Sequence, residues 1–207
     1  MNPVHVFWDN SNIWLGAVQS CINSENPEYR YALRLSFRNL DALVVKNRTA
    51  ITKILCGSVP PECEDLWEHA KKLQYNTQLL KRVQTGTRME EQAVDELLHL
   101  GIANAILDNA PPQTLIILSG DGKTTSTGTS FVKQAERALR HGWCVEIYAW
   151  AGTISAAFNV LASRYTDKMI VYTLNGYYNQ LTYLEGGDYY IEGKTVHVSN
   201  RVVQKLP

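Results

Sequence analysis

Short runs rich in β-branched and aromatic residues alternate along this chain with longer segments of amphipathic, helix-like pattern. The predicted strands are Val4–Trp8, Ala50–Cys56, Thr77–Val83, Thr114–Leu118 and Cys144–Ala149. The predicted helices are Ile13–Cys21, Leu40–Lys46, Glu62–Leu73, Met89–Asp108, Phe131–His141 and Ile154–Arg164. Strands that alternate with helices in this way form a mainly parallel sheet with helices on both faces. The sequence therefore predicts an α/β fold, a three-layer sandwich around one central sheet.

The pattern changes after Thr166, where short strand-like runs are interrupted by glycines. These runs are Met169–Tyr172, Tyr183–Leu184, Tyr189–Ile191 and Thr195–Val198, with Glu192–Gly193 as a predicted hairpin turn. We expect residues 1–166 to form one domain and residues 167–207 to form a β-rich extension packed on it. A chain of 207 residues is long enough to bury a sizeable core in this arrangement.

Composition limits the function classes that the chain can serve. Lysine and arginine balance aspartate and glutamate, so the net charge is zero and no overall field attracts nucleic acid or membrane. The four cysteines, Cys21, Cys56, Cys63 and Cys144, show no CxxC spacing and no secretory leader precedes them, which favours free thiols in a reducing compartment. We expect a cytoplasmic protein, with the nucleus as the intracellular alternative, and no membrane partner, because no apolar run reaches the roughly 20 residues that span a bilayer.

Polar residues follow two of the predicted strands directly. Asp9-Asn-Ser-Asn12 follows the first strand, and Ser119-Gly-Asp121-Gly-Lys123 follows the fourth. In open α/β sheets, ligands bind outside the carboxyl ends of the strands, near the point where the strand order reverses. Helix capping is the structural alternative, since Asn, Ser and Asp accept hydrogen bonds from the first turn of a helix. That alternative suits Asn10 and Ser11 better than Asp9, because a helix needs only one such cap.

The long predicted helix adds two further acids. Thr87 and Glu90 have the spacing of a capping box, which accounts for Glu90. Glu91 and Asp95 are four residues apart, so they share one face of the helix, beside an apolar stripe that includes Leu98. Acids near a helix N-terminus also complement the helix dipole. The dipole explains Glu91 better than Asp95, which lies beyond the predicted first turn.

Convergence of Asp9, Asp95 and Asp121 would demand a counter-charge. Two like charges about 4 Å apart repel by roughly 4 kcal/mol at an effective dielectric near 20. Such a cluster needs a proton or a cation, and oxygen ligands without histidine or cysteine favour Mg²⁺ or Mn²⁺. In this interpretation Asp9 is a metal ligand, and Asn12 either bonds a ligand or fixes a loop.

Three segments in this order resemble the NYN domain, a branch of the PIN-like ribonuclease superfamily. They are Asp9-Asn-Ser-Asn12, Glu91-x-x-Val94-Asp95 and Ser119-Gly-Asp121, and the resemblance runs from about Val4 to Leu184. It implies a flavodoxin-like or Rossmann-like sandwich and cleavage of RNA, single-stranded or structured, by a water activated by Mg²⁺ or Mn²⁺. By position, the resemblance makes Asp9, Asp95 and Asp121 the metal-binding and catalytic acids, with Glu91 as an auxiliary catalytic residue and Asn12 supporting the substrate.

The chain departs from the family pattern after Asp121. The family usually has Ser-Gly-Asp-x-Asp-Phe, whereas here the loop lengthens through Gly122–Thr129 and Ser130-Phe131 stands in the Asp-Phe place. A fourth carboxylate is therefore missing. The longer loop offers other contacts for the phosphates of a substrate, namely Lys123, Thr124, Thr125 and Ser126, with Ser130 at its end.

Residues outside these motifs offer further RNA contacts. Lys81–Arg82 and Arg88 precede the long helix and either touch the RNA backbone or form a solvated basic loop. Trp8, Trp14 and Tyr177–Tyr178 have the rings that stack on bases, but packing in the core or the tail is the stronger interpretation for each.

Three alternative functions follow from the same residues. An inactive member of the family, which binds RNA or a protein, stays open because Ser130 replaces the acid. Gly122-Lys-Thr124 suggests a nucleotide-binding P-loop, but the position that needs the first glycine of that motif is Ile117. A phosphatase of the haloacid dehalogenase type needs a second aspartate two residues after Asp9, where this chain has Ser11. The last two alternatives are therefore weak.

Overall fold

A computed structural model gives the fold. It describes residues 2–58, 64–80, 83–85, 88–90 and 94–207, and only the backbone at 58, 64–66, 78–80, 83–85 and 88–90. In chain order the strands are β1 (Val4–Asp9), β2 (Leu33–Leu35), β3 (Ala50–Ser58), β4 (Asn76–Leu80), β5 (Val83–Thr85), β6 (Arg88–Glu90), β7 (Thr114–Leu118), β8 (Cys144–Ala149), β9 (Met169–Thr173), β10 (Thr182–Leu184), β11 (Gly187–Ile191) and β12 (Lys194–Val198).

The helices alternate with these strands as the sequence pattern indicated. They are α1 (Asn10–Ser24), α2 (Phe37–Val45), α3 (Glu64–Lys72), α4 (Val94–Asp108), α5 (Phe131–Arg140), α6 (Ala156–Arg164) and α7 (Tyr178–Leu181), with short 3-10 turns at Pro27–Tyr31, Ala151–Thr153 and Leu174–Tyr177. Over the described residues, no helix combines the length and the apolar character that a bilayer crossing requires.

Six strands form one central sheet in the order β4-β3-β1-β7-β8-β9, and every neighbouring pair is parallel. The chain builds outward from β1 through β3 to β4, and then crosses to the other side of β1 to add β7, β8 and β9. The strand order therefore reverses between β1 and β7. The carboxyl ends of these two strands border the crevice where open α/β sheets bind ligands.

Both faces of the sheet are covered, which confirms the predicted α/β sandwich. Val6 and Trp8 of β1 pack on one face, in a core that includes residues of α1 and α2. Phe7 points to the opposite face, where residues of α4 and α5 complete a second core. All six residues of β1 are buried. A strand buried on both faces reads as a continuous apolar run, which is why β1 was recognisable in the sequence.

The C-terminal region contributes both to the central sheet and to a separate hairpin. β9 is the sixth strand of the sheet, although it lies past residue 166, where the β-rich extension was predicted to begin. β11 and β12 form an antiparallel pair joined at Glu192–Gly193, and both residues of that turn have positive φ angles, 49° and 84°. This confirms the predicted hairpin turn. The division into 1–166 and 167–207 stays a prediction.

The long helix begins later than predicted. α4 starts at Val94, whereas Met89 and Glu90 belong to strand β6, which pairs antiparallel with β5. The predicted capping box is therefore wrong for Glu90, because its backbone pairs with Val83 in a hairpin; Thr87 lies outside the described residues. Strand β4 also ends at Leu80, before the predicted Val83. Arg88–Glu90 pairs with β5 although its sequence fits a helical pattern, because periodicity is a weak signal in so short a segment.

Candidate active site at the carboxyl edge of the sheet

A small pocket of about 190 Å³ lies where the strand order reverses. Its lining comprises Asp9, Ser11, Asn12, Leu15, Val94, Asp95, Glu96 and Asp121. Asp9 ends β1, Asp95 belongs to the first turn of α4, and Asp121 follows β7. The structure thus brings the three predicted acids to one pocket from three separate elements. Glu91, the predicted auxiliary acid, lies outside the described residues.

Hydrogen bonds from Asn12 and Ser119 hold Asp9 in place. One carboxylate oxygen accepts the backbone N–H of Asn12 at 3.0 Å, so Asp9 is the N-cap of α1. The other oxygen accepts the hydroxyl of Ser119 at 3.0 Å. The expectation that Asn10 or Ser11 caps this helix is wrong, since both lie inside α1. Asp9 is therefore both the cap of α1 and a residue of the pocket lining.

A chain of hydrogen bonds couples the ends of β1 and β7. The amide oxygen of Asn12 accepts the backbone N–H of Gly120 at 2.8 Å, which confirms that Asn12 fixes a loop. Ser119 Oγ accepts the N–H of Asp121 at 3.2 Å, and Asp121 Oδ1 accepts the N–H of Lys123 at 2.7 Å. The loop that carries Asp121 is therefore anchored to the same helix end as Asp9.

The pKa of Cys56 depends on two of the acids that line the pocket. This buried residue of β3 has its pKa raised to about 12, first by burial and then by the charges of Asp9 and Asp95. The two carboxylates therefore act on the same thiol. Asp95 also lies in the first turn of α4, not beyond it as predicted. The helix dipole consequently stabilises Asp95 as well, so it explains this acid better than the sequence pattern indicated.

The raised pKa predicts that Cys56 is inert toward alkylation. Only the thiolate attacks iodoacetamide, and at pH 8 a thiol with a pKa of about 12 is protonated. We expect Cys56 to stay unmodified in the native protein while the more exposed Cys144 reacts, and both to react after unfolding. Peptide mass spectrometry of timed samples measures this. Equal rates at the two residues in the native protein would contradict the placement of Cys56 under two carboxylates.

A buried histidine lies next to this acidic region. His99 of α4 is 3% exposed, and its ring packs edge-on against Phe131. Burial lowers the pKa of His99, and the charges of Glu96 and Asp121 oppose that effect only in part. His99 is therefore a neutral core residue near neutral pH, and it adds no positive charge to the pocket.

The arrangement does not amount to a preformed metal cage. Among the residues that the structure describes, no three His, Cys, Asp or Glu side chains are arranged so that they could hold a metal ion. Asp9, Asp95 and Asp121 share a pocket, but they are not such a group. The prediction that all three lie within reach of one ion is therefore not met in this arrangement.

The predicted substrate-binding residues occupy different environments. Lys123, Thr124 and Ser126 are exposed on the loop between β7 and α5. Ser130 is only 3% exposed and caps α5, since its hydroxyl oxygen accepts the N–H of Lys133 at 3.2 Å. Arg88 belongs to β6, where the structure describes only the backbone. The loop contacts are thus accessible to a ligand, whereas Ser130 has a structural role.

Two of the aromatic candidates, Trp8 and Tyr178, pack against other side chains, which confirms the interpretation that the sequence favoured for them. Trp8 is fully buried and stacks on Phe37 with 4.6 Å between ring centroids. The hydroxyl of Tyr178 donates to Glu25 at 2.5 Å, and its ring lies against Trp150. Neither ring is placed to stack on a base.

Sequence reasoning missed a second cleft beside the acidic pocket. It has a volume of about 420 Å³, and its lining comprises Asn12, Gly120, Asp121, Gly122, Lys123, Gly152, Thr153, Ile154 and Ser155. Residues 152–155 follow β8, the next strand in the sheet, so the rule about carboxyl strand ends applied to them too. They were overlooked because the segment carries no charged residue.

The loop after β7 and the loop after β8 approach each other closely along this cleft. A Cβ atom added at Gly120 would lie 2.2 Å from the carbonyl oxygen of Thr153, which is backbone and cannot swing aside. We expect Gly120→Ala to destabilise the protein by roughly 1–3 kcal/mol, the usual cost of overpacking. Gly152→Ala is the matched control, because a Cβ there meets nothing within 4 Å. Urea denaturation measures both; equal stability of the two variants would contradict the close approach.

Comparison with known proteins supports the fold and leaves the function open. No protein-family model matches the chain, and no curated protein matches it. The fold is similar to that of a protein of unknown function from Vibrio parahaemolyticus RIMD 2210633, with a TM-score of 0.54 over 84% of this chain and 94% of that chain. The two sequences are 13% identical, so this likeness shows a shared α/β architecture and nothing about activity.

Proposed function

We propose that this protein is a ribonuclease that depends on a divalent metal ion, Mg²⁺ or Mn²⁺, and that its acidic pocket hydrolyses phosphodiester bonds of RNA. One observation carries the proposal: Asp9, Asp95 and Asp121 line a single pocket where the strand order reverses. That is the position at which α/β sheets bind ligands. The resemblance of the three acidic segments to the NYN domain supplies the reaction and the substrate class.

The side chains of the pocket suit a hard cation. Among the residues that the structure describes, the polar side chains of this lining offer oxygen atoms as ligands, and oxygen is the ligand that Mg²⁺ and Mn²⁺ prefer. Mg²⁺ is usually bound through one or two carboxylates together with phosphates of the substrate, so a cage of three carboxylates is not required. Asp9 and Asp121 would hold the ion, with Asp95 neutralising it. When bound, such an ion activates water and stabilises the charge that develops on the phosphoryl oxygens.

The protein's own residues would prepare this site for the substrate. Asp9 keeps one orientation because both of its oxygens are hydrogen-bonded. Asn12 ties the loop that carries Asp121 to the start of α1, which fixes the distance between the two acids. Lys123 places an exposed ammonium group beside Asp121, where it can bind a phosphate of the RNA.

The role of Ser130 favours a second candidate, an RNA-binding module without catalysis. Where the resembling family has an acid, this chain has a buried helix cap, so one carboxylate is absent. A cleavage assay separates the two candidates: the ribonuclease cuts a single-stranded RNA with Mn²⁺ and stops with EDTA, whereas the module binds without cutting. Asp121→Asn, which removes one charge from the pocket, must abolish the cleavage for the assignment to this pocket to hold.

Restoring the missing acid tests how the pocket is completed. Aspartate is as good an N-cap as serine, so Ser130→Asp should preserve α5. We expect it to tighten Mn²⁺ binding about tenfold, which corresponds to roughly 1.4 kcal/mol, because the family resemblance assigns an acid of the metal site to this position. Isothermal titration measures the affinity. Ser36→Asp is the matched control, since Ser36 caps α2 in the same way. Unchanged or weaker affinity in Ser130→Asp would mean that the long loop keeps this position away from the ion.

A further inference from the structure

The loop between β7 and α5 presents hydroxyl groups beside the acidic pocket. It continues directly from Asp121, which lines both the pocket and the neighbouring cleft. Its exposed residues are Lys123, Thr124, Ser126, Thr127 and Gly128. A group attached to the tip of this loop therefore lies close to the residues that would meet the RNA.

The loop is anchored at its end and exposed at its tip. The ammonium group of Lys133 donates a hydrogen bond to the carbonyl oxygen of Gly128 at 2.6 Å. The backbone N–H of Gly128 donates to the carbonyl oxygen of Thr125 at 2.9 Å, which closes a tight turn with Ser126 at its second position. The tip that another enzyme would meet is therefore a short turn held by its own hydrogen bonds.

Ser126 differs from its neighbours in its hydroxyl group and in the residue that precedes it by three. The Thr127 hydroxyl shares a hydrogen bond with that of Thr125 at 2.8 Å. No hydrogen bond within the described part of the chain engages the Ser126 hydroxyl. Lys123 stands three positions before Ser126, whereas an acid stands three positions before Thr124. A basic residue at that spacing is a charge pattern by which serine/threonine kinases recognise their substrates.

From these observations we infer that Ser126 is a phosphorylation site and that its phosphate shuts off RNA binding at the acidic pocket. The inference rests on the proposed function. In the reaction, the Ser126 hydroxyl oxygen attacks the γ-phosphorus of ATP and the bond from that phosphorus to the β,γ-bridging oxygen breaks. ADP leaves, and the catalytic aspartate of the kinase takes the hydroxyl proton. The product carries a charge of about −1.5 to −2 at pH 7 on an exposed turn.

The phosphate acts through Lys123, the cation that the proposed function assigns to the RNA. Cα atoms three residues apart are separated by at most roughly 11 Å, close to the Debye length of about 8 Å at physiological ionic strength, and the long lysine side chain shortens the gap. No hydrogen bond or ion pair within the described residues engages the Lys123 ammonium, so it can pair with the phosphate. Pairing withdraws this cation from the RNA, and the added negative charge repels the RNA backbone.

Kinase treatment of the full chain tests the inference. Wild type and Ser126→Ala are incubated, with and without ATP, with a serine/threonine kinase that requires a basic residue three positions before the acceptor. Peptide mass spectrometry identifies the modified residue. Acylation by acetic anhydride measures the reactivity of the Lys123 amine, with Lys168, exposed before β9 at the opposite edge of the sheet, as the reference. Binding of a fluorescein-labelled oligouridine with Ca²⁺ is measured by anisotropy, and its cleavage with Mn²⁺ on gels.

We expect wild type treated with ATP to carry phosphate at Ser126. Acylation of Lys123 should slow about threefold or more, because a nearby anion favours the charged form of the amine. Oligouridine binding should weaken at least about tenfold through the loss of a phosphate contact and the added repulsion, and cleavage should slow to a similar extent. Acylation of Lys168 should not respond to ATP, and Ser126→Ala should respond in none of these measurements.

Absence of phosphate at Ser126 would overturn the inference, as would unchanged Lys123 acylation or unchanged oligouridine affinity in the phosphorylated protein. The ribonuclease proposal stands in each of these cases if the unmodified protein cuts the oligouridine. If the unmodified protein binds the oligouridine without cutting it, the ribonuclease proposal fails, and phosphate at Ser126, Lys123 acylation and anisotropy decide the inference. If it neither binds nor cuts, both fail.

Discussion

Replacing Asp9 by asparagine is expected to reduce Mn²⁺-dependent RNA cleavage to background while the metal-free protein stays at least as stable as the wild type. Asparagine is as effective an N-cap as aspartate, so it can keep the bond to Asn12 N–H, and its amide can still pair with Ser119. The substitution removes one charge from a pocket that Asp95 and Asp121 also line. Repulsion falls by at most a few kcal/mol, given roughly 4 kcal/mol for a pair about 4 Å apart.

Asp9→Ala is the variant that separates capping from charge. Alanine cannot cap α1 and leaves the buried Ser119 hydroxyl without its acceptor, so we expect a loss of about 1–3 kcal/mol in the free energy of unfolding. Both variants should also lose the stabilisation that added Mn²⁺ gives the wild type, since an ion stabilises only a folded state that binds it. Thermal melts with EDTA or Mn²⁺ and an RNA cleavage assay measure these effects. If Asp9→Asn melted at as low a temperature as Asp9→Ala without metal, the role of Asp9 would be structural, and the argument that it binds a metal ion would fail.

Replacing Glu146 by glutamine is expected to cost about 3–5 kcal/mol of stability, the usual result of breaking a buried ion pair. The guanidinium of Arg48 donates to both oxygens of Glu146, at 2.6 and 2.9 Å, and the two side chains are 8% and 14% exposed. Arg48 also donates to the carbonyl oxygens of Val44 and Val45, so the pair fastens the end of α2 to β8. Without Glu146 the guanidinium stays buried with no counter-charge.

The chain offers an exposed ion pair as the control for Glu146→Gln. Arg140 and Glu136 lie one turn apart on α5, with side chains 68% and 27% exposed, so Glu136→Gln should change stability by less than about 1 kcal/mol. Urea denaturation of both variants gives the comparison. A loss below about 1 kcal/mol in Glu146→Gln would contradict the view that this pair is desolvated and joins α2 to the sheet.

The sequence predicted the buried strands best. β7 and β8 have the predicted limits, because an apolar run between turn signals can hardly be placed elsewhere in an α/β fold. The start of α4 was misplaced because Arg88–Glu90 pairs with a neighbouring strand, a tertiary contact that leaves no trace in a helical pattern. β9 was assigned to an extension because its sequence alone does not show that it pairs with β8 as the edge strand of the central sheet.

The acidic pocket was largely predictable and its surroundings were not. Asp9 ends β1 and Asp121 follows β7, and these strands are parallel neighbours, so the topology brings the two acids to one edge once the fold is known. The charges made them visible in the sequence. Gly152–Ser155 occupies the equivalent position after β8, but it is neutral, so nothing distinguished it from a loop. The capping roles of Asp9 and Ser130 each depend on one hydrogen bond to a backbone N–H, which spacing alone does not determine.

The most direct test of the ribonuclease proposal is a crystal structure of the protein soaked with Mn²⁺, with data collected at the manganese absorption edge. The proposal requires an anomalous peak in the pocket, in contact with carboxylate oxygens of Asp9 and Asp121 and with Asp95 facing it. The same soak of Asp9→Asn crystals should show a weaker peak or none. A wild-type pocket without manganese at a saturating concentration, or manganese bound only elsewhere on the chain, would contradict the proposal.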